Sequence, residues 1–217
     1  MIVGCWLADL LIDGDARRRR LYRFLYRGVD RIVVFSSNQV PTLVEYLGIA
    51  PEQVAVVRFG VDLDELGERA TDLRDSGRVV AAGRDVGRDW GTLFDAVRAT
   101  GIPVDLITRT RQIAGLDVPE EVTLVGVVDR DTYLDHLARA AVVALPTEVK
   151  QYPTGQTVLL EAMALGRCCV VTDTPAMREY VTDGETAVLV APHDAEAWRR
   201  VLAELMADPD RRARIGD

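Results

Sequence analysis

Hydrophobic residues along this chain fall into short, β-branched runs that alternate with longer stretches of helical spacing. The runs at 2–7, 31–35, 54–58, 79–82, 104–107, 122–125, 142–145, 168–172 and 187–190 are bounded by turn residues and predict strands. Several are apolar at every position instead of every second one, as parallel strands covered on both faces require. Between them the spacing predicts helices over 16–27, 41–47, 90–99, 131–140, 157–164, 176–180 and 195–206, with Asp131 and Asp194 as N-caps. Alternating strands and helices imply an α/β fold built on a doubly wound parallel sheet. The rhythm breaks near Asp62, where an acidic stretch carrying Gly67 and Gly77 has no strand pattern. This divides the chain into 1–62, a linker over 63–77, and a larger α/β domain over 78–217.

Composition narrows the function classes. A net charge of -8 disfavours nucleic acid as a partner, because phosphate backbones need a basic face. No apolar run approaches the ~18 residues of a membrane span. Residues 1–12 are apolar but lack the basic start and small-residue cleavage site of a signal peptide. Cys5, Cys168 and Cys169 form no metal-binding spacing, and adjacent strand residues point to opposite faces, which argues against a bridge. A reducing cytoplasm is the expected location. The basic stretch Arg17, Arg18, Arg19 and Arg20 precedes Leu21, Phe24 and Leu25, a pattern that allows peripheral contact with anionic lipid at the inner membrane face at most. A solvated basic helix face is the plainer explanation.

The most informative segment runs from Gly155 to Gly166. A glycine loop opens an amphipathic helix, a second glycine closes it, and an apolar strand run follows. A helix N-terminus offers unpaired N–H groups and partial positive charge, so Gly155, Gln156 and Thr157 could seat a phosphate. Glu161, a turn or two further on, could accept bonds from a ribose. Upstream, Gly83-Arg84-Asp85-Val86-Gly87-Arg88-Asp89 joins a predicted strand to a helix. Two guanidiniums beside glycine backbone suit a diphosphate, which each can grip with charge-assisted bonds. A surface turn of arginines neutralised by Asp85 and Asp89 is the alternative. The glycine spacing does not fit a dinucleotide fingerprint.

Five phrases occur in order: Phe59-Gly60-Val61-Asp62, Ala82-Gly83-Arg84, Leu124-Val125-Gly126-Val127-Val128, Ala144-Leu145-Pro146-Thr147, and Leu160-Glu161-Ala162-Met163-Ala164-Leu165-Gly166. Together they resemble glycosyltransferase family 4, retaining enzymes whose two Rossmann-like lobes form the GT-B fold. The resemblance implies that residues from about Gly77 onward are the C-terminal, nucleotide-sugar-binding lobe. Residues 1–62 would be a remnant of the N-terminal lobe, and the chain would end before the helix that crosses back. It further implies a nucleotide-diphosphate sugar as donor and a glycan or lipid as acceptor; no cofactor or metal is expected, since arginines can neutralise the phosphates. Arg84 matches the family's arginine, and Arg88 stands one position before its lysine; both would stabilise the departing diphosphate. Gly83 and Gly126 would line the donor site.

The chain departs from the family in the loop before Gly155. The family places two glutamates eight positions apart; Glu161 matches the second, but Pro153 occupies the first. Glu148 is the loop carboxylate that could stand in for it. His136 reads as a satisfied core-edge histidine, His193 as part of a turn ahead of a helix, and Ser36-Ser37 as a helix cap. The leading function is therefore glycosyl transfer with this chain supplying the donor lobe. The alternatives are a non-catalytic nucleotide-binding fragment, one subunit of a split enzyme completed by a separate N-terminal-lobe subunit, and a sugar epimerase on the same scaffold.

Overall fold

A computed structural model of the chain describes residues 1–4, 6–67 and 75–217, which form two compact units. Cys5 and positions 68–74 of the expected linker lie outside the described residues.

The first unit comprises Met1–Phe59 with Lys150–Pro153 and Thr174–Glu179. Strands β1 (Ile2–Val3), β2 (Ile32–Val34) and β3 (Val54–Val56) form a parallel sheet in that order, with Ile32 opposite Ile2 and Val54. Helices α1 (Leu7–Ile12), α2 (Ala16–Tyr26) and α3 (Gln39–Leu47) cover it. Leu7, Leu11, Ile32, Val34, Leu43 and Leu47 make the core. The strand expected over 2–7 is shorter, because Leu7, Ala8 and Leu11 bury together as a helical stripe. Helix α2 buries no residue of its own. It is held by arginines that satisfy other helices' free carbonyls: Arg19 donates to Leu11 O and Ile12 O, and Arg23 to Tyr46 O. The serines do not cap α3, whose N-cap is Asn38 without a side-chain bond. Ser36 Oγ instead donates to Gln151 O, and Ser37 donates from N and Oγ to Glu179 Oε1.

The second unit comprises Gly60–Val149, Thr154–Asp173 and Tyr180–Asp217. Its strands are β4 (Val79–Ala82), β5 (Val104–Ile107), β6 (Val122–Leu124), β7 (Val142–Leu145), β8 (Cys169–Thr172) and β9 (Val188–Val190). They form one parallel sheet in the order β6-β5-β4-β7-β8-β9. Every residue of β4, β7 and β8 is buried, which is why those runs carry no polar alternation. Its helices are α4 (Leu63–Gly67), α5 (Trp90–Val97), α6 (Arg130–Ala138), α7 (Gln156–Ala164), α8 (Ala195–Ala207) and α9 (Pro209–Gly216). Val79, Leu93, Phe94, Leu106, Val170 and Trp198 are among the side chains that close its core.

Boundaries shift where capping chemistry decides them. Helix α6 is capped by Asp129, not Asp131, because Asp129 accepts from both Thr132 N and Thr132 Oγ1 at 2.9 Å. Asp194 caps α8 as expected. The segment 176–180 holds a single 3-10 turn at Met177–Glu179. Helix α9 escaped the pattern reading; Asp208 caps it, accepting from Arg211 N, and Pro209 opens it. The consequence for function lies in the strand order. From β4 the chain winds one way through β5 and β6, then crosses to β7 and winds the other way. The carboxyl ends of β4 and β7 therefore flank a topological switch point, where open α/β sheets bind ligands.

Candidate functional site

The loops leaving β4 and β7 meet at that switch point. Arg88 pairs with Thr147 in an antiparallel bridge, Asp89 N donates to Pro146 O at 3.1 Å, and Glu148 N donates to Gly87 O at 3.0 Å. Gln112 Nε2 donates to the carbonyls of Arg84 and Asp85, and Thr108 Oγ1 to that of Gly83. These bonds fix the backbone of 83–89 while leaving the Arg84 side chain exposed. Arg88 behaves differently: its side chain is only 3% exposed. Its guanidinium lies against Gly83 on one side and Gly155 on the other, where an added Cβ at either position would overlap it.

Gly155 is the N-cap of α7 and has φ 86, a left-handed conformation that a side chain resists. Gln156 and Thr157 form the first turn. A permanent cation and a helix N-terminus thus converge on one spot, each attracting negative charge. Thr147 and Thr154 are 1% and 2% exposed, and their Oγ1 atoms, with Gln156 Oε1, have no hydrogen-bond partner among the described residues. Buried polar atoms left without bonds cost about 1–3 kcal/mol each. The arrangement sets a buried cation, a helix N-terminus and two buried hydroxyls close together in the chain's β4 and β7 loops. Asp85 Oδ1 stands 3.6 Å from Arg88 Nε and offsets part of the charge.

Glu161 is not a solvent-facing helix residue: it is 3% exposed. Arg130 Nη1 donates to its Oε1 at 2.9 Å, and Tyr133 OH donates to its Oε2 at 2.6 Å. Arg130 also grips Glu65 of α4 with two further bonds. Burial, reinforced by the neighbouring Glu161 charge, pushes the Tyr133 phenol far up, so it stays a donor. The bonds to Glu65 and Glu161 raise Arg130 likewise. Neither Arg130 nor Tyr133 was singled out from the sequence; they lie 31 and 28 residues from Glu161, and no local spacing connects them. Gly126, with φ 86, sits in the loop between β6 and α6, the helix that carries both.

Asp89 has a capping role. It caps α5, accepting from Thr92 N at 3.0 Å and Thr92 Oγ1 at 2.6 Å, and its Oδ2 lies 2.9 Å from His193 Nδ1. The other face of the imidazole meets the remaining loop carboxylate, with His193 Nε2 3.5 Å from Glu148 Oε2. The structure thus brings Gly83 and Gly155 against Arg88, with Gln156 and Thr157 next along α7 and Glu148 bonded to the Gly87 backbone. Glu161 lies further along α7 and Gly126 in the loop ahead of α6. His136 faces Asp105 at 3.4 Å, the satisfied role its helix position suggested.

Comparison with known proteins adds three findings. The family described as Glycosyl transferases group 1 matches residues 100–208, about half of the chain. Among curated relatives, a D-inositol 3-phosphate glycosyltransferase of Xylanimonas cellulosilytica is 29% identical over 214 residues, covering 86% of this chain and 51% of that protein. An MMP alpha-(1->4)-mannosyltransferase of Mycolicibacterium hassiacum is 28% identical over 219 residues, covering 92% and 52%. The chain spans about half the length of these relatives. Among solved structures, Anabaena HepE in complex with UDP and glucose superposes with a TM-score of 0.77 at 18% identity, over 96% of this chain and 63% of that one. That likeness establishes the fold.

Proposed function

Because this chain belongs to the group 1 glycosyl transferases, we propose that it binds the nucleotide-diphosphate sugar donor of a reaction that transfers the sugar to a glycan or lipid acceptor. The observation that carries this reading is the seat of Arg88 between Gly83 and Gly155 at the start of α7. The diphosphate sits against the Arg88 guanidinium and the N–H groups of Gln156 and Thr157, with Arg84 closing over it from the exposed side. As the sugar leaves, negative charge builds on that diphosphate. A pre-positioned cation and helix terminus stabilise it without reorganising, which is where electrostatic catalysis is largest. The buried hydroxyls of Thr147 and Thr154 supply further donors. Glu161, held rigid by Arg130 and Tyr133, presents its carboxylate to the ribose. The buried thiols of Cys168 and Cys169 are free, in keeping with action in a reducing cytoplasm.

A second reading is favoured by the small first unit, whose sheet has three strands. In it the chain binds the donor and transfer requires a further lobe that brings the acceptor, since orientation of two substrates is worth many kcal/mol of barrier. One experiment addresses both. The purified chain is screened by thermal shift against nucleoside diphosphates, the parent nucleosides and nucleotide sugars, then assayed for product with sugar and lipid acceptors. A melting point raised by a nucleoside diphosphate but not its nucleoside supports the donor site. Product formed by the chain alone selects the first reading, and binding without product selects the second. No shift with any diphosphate rejects both.

A further inference from the structure

The imidazole of His193 stands between two carboxylates, and we propose that His193 Nε2 and Glu148 together bind a divalent transition-metal ion of the Zn2+ or Mn2+ type, with Asp89 fixing the imidazole. The site does not rest on the donor reading, although Glu148 is also the loop carboxylate considered for the donor sugar. The two contacts of the ring are unlike. His193 Nδ1 to Asp89 Oδ2 is 2.9 Å, a hydrogen-bond length, and an ionised carboxylate only accepts, so the ring proton is on Nδ1. The opposite ring nitrogen, Nε2, stands 3.5 Å from Glu148 Oε2, longer than a good hydrogen bond.

A cation between the two atoms fits that spacing. Nitrogen and oxygen ligands each about 2.0–2.2 Å from a tetrahedral ion stand roughly 3.4 Å apart. Metal-bound histidines characteristically donate their second N–H to a carboxylate, which sets the tautomer and the ring plane. Asp89, His193 and Glu148 reproduce that order, and their ligand atoms lie within 4.8 Å of one another. Imidazole with carboxylate suits zinc and manganese better than magnesium or calcium.

The three residues are held in place from separate parts of the second unit. Asp89 is anchored by Thr92, and Glu148 by its backbone bond to Gly87. His193 has φ 57, a left-handed conformation uncommon for a residue with a side chain, directly before the N-cap of α8. The His193 side chain is 57% exposed, so the remaining coordination positions are open to solvent. His136 offers no equivalent, because it shares Asp105 with Arg78, whose Nη2 lies 2.7 Å from that carboxylate.

The test is calorimetric titration of the whole, chelator-stripped chain with ZnCl2 and MnCl2, alongside the visible spectrum of added Co2+ as a coordination signature. The expected result is one ion per chain. His193→Ala and Glu148→Gln should each lower affinity at least tenfold and abolish the cobalt bands. Asp89→Asn keeps an N-cap on α5 and should cost about 10–100-fold. His136→Ala should change nothing. Circular dichroism checks each fold, and Glu148→Gln, a partly exposed isostere, stays informative if His193→Ala misfolds. Absence of binding, as an imidazolium clasp without metal would give, overturns the proposal. So does undiminished affinity in either ligand variant.

Discussion

Arg88 and Glu161 are both buried charges, but they owe their placement to different neighbours. Arg88 rests between two glycines, so Gly83→Ala should act through the arginine: the new methyl displaces the guanidinium. We predict that Arg84→Ala and Arg88→Ala each weaken nucleoside-diphosphate binding by about 1.5–3 kcal/mol, the worth of a charged hydrogen bond, while sparing the nucleoside. Gly83→Ala should match Arg88→Ala, and the double variant should be no worse than either, because residues acting as a unit are not additive. Calorimetry with both ligands checks this; additive losses would show two separate effects. For Glu161, a double-mutant cycle of Glu161→Gln with Tyr133→Phe should give a coupling of about 0.5–3 kcal/mol in urea unfolding. A coupling near zero would mean that the 2.6 Å contact does not hold in solution. Glu161 and the arginines could be singled out from the sequence because helix position and glycine neighbours are local properties. The Asp89–His193 pair spans 104 residues, and only folding brings such partners together.

At the scale of elements, the legible ones are those whose composition leaves one choice. The ranges of β4 and β7 agree with the sequence reading because short all-apolar runs cannot serve as amphipathic helices. Helices α1 and α9 were missed for the opposite reason. The first is a short stripe fused to a strand run, and the second a polar turn whose only apolar anchor is Ile215. Strand β8 and the residue before it carry a testable consequence. Burial raises the thiols of Cys168 and Cys169, Cys168 to about 11 from an ordinary 9.0. The folded-state value exceeds the unfolded one, so the unfolded chain loses its proton first. Stability from this source is intact below pH 9 and falls as pH rises towards 11, by about 1.4 kcal/mol per pH unit per thiol. Urea melts at pH 8 and 10.5 should show the drop, and Cys168→Ala should shrink it. An unchanged difference would assign the alkaline loss to other groups.

At the scale of the molecule, the alternation of strands and helices announced a parallel α/β fold, and the six-stranded sheet has it. Strand order is not written in any local pattern; it follows from chain handedness and burial. The two units differ in how well they cover their hydrophobic surface. Among the described residues, most of the exposed large hydrophobics belong to the first unit, including Trp6, Leu21, Phe24 and Leu25. Its sheet has three strands, two of them edges. Native-state hydrogen exchange should therefore find the amides of β2 opening at lower free energy than those of β4 and β7. Equal protection would mean that the units unfold as one. The grouping of Lys150–Pro153 and Thr174–Glu179 with Met1–Phe59 also sets a timetable. During synthesis the strands of the first unit emerge before these segments, and Asp9, Ser36, Ser37 and Asn38 wait for Gln151 and Glu179 to supply their hydrogen-bond partners. Residues as late as Glu179 must be translated before the first unit can be completed.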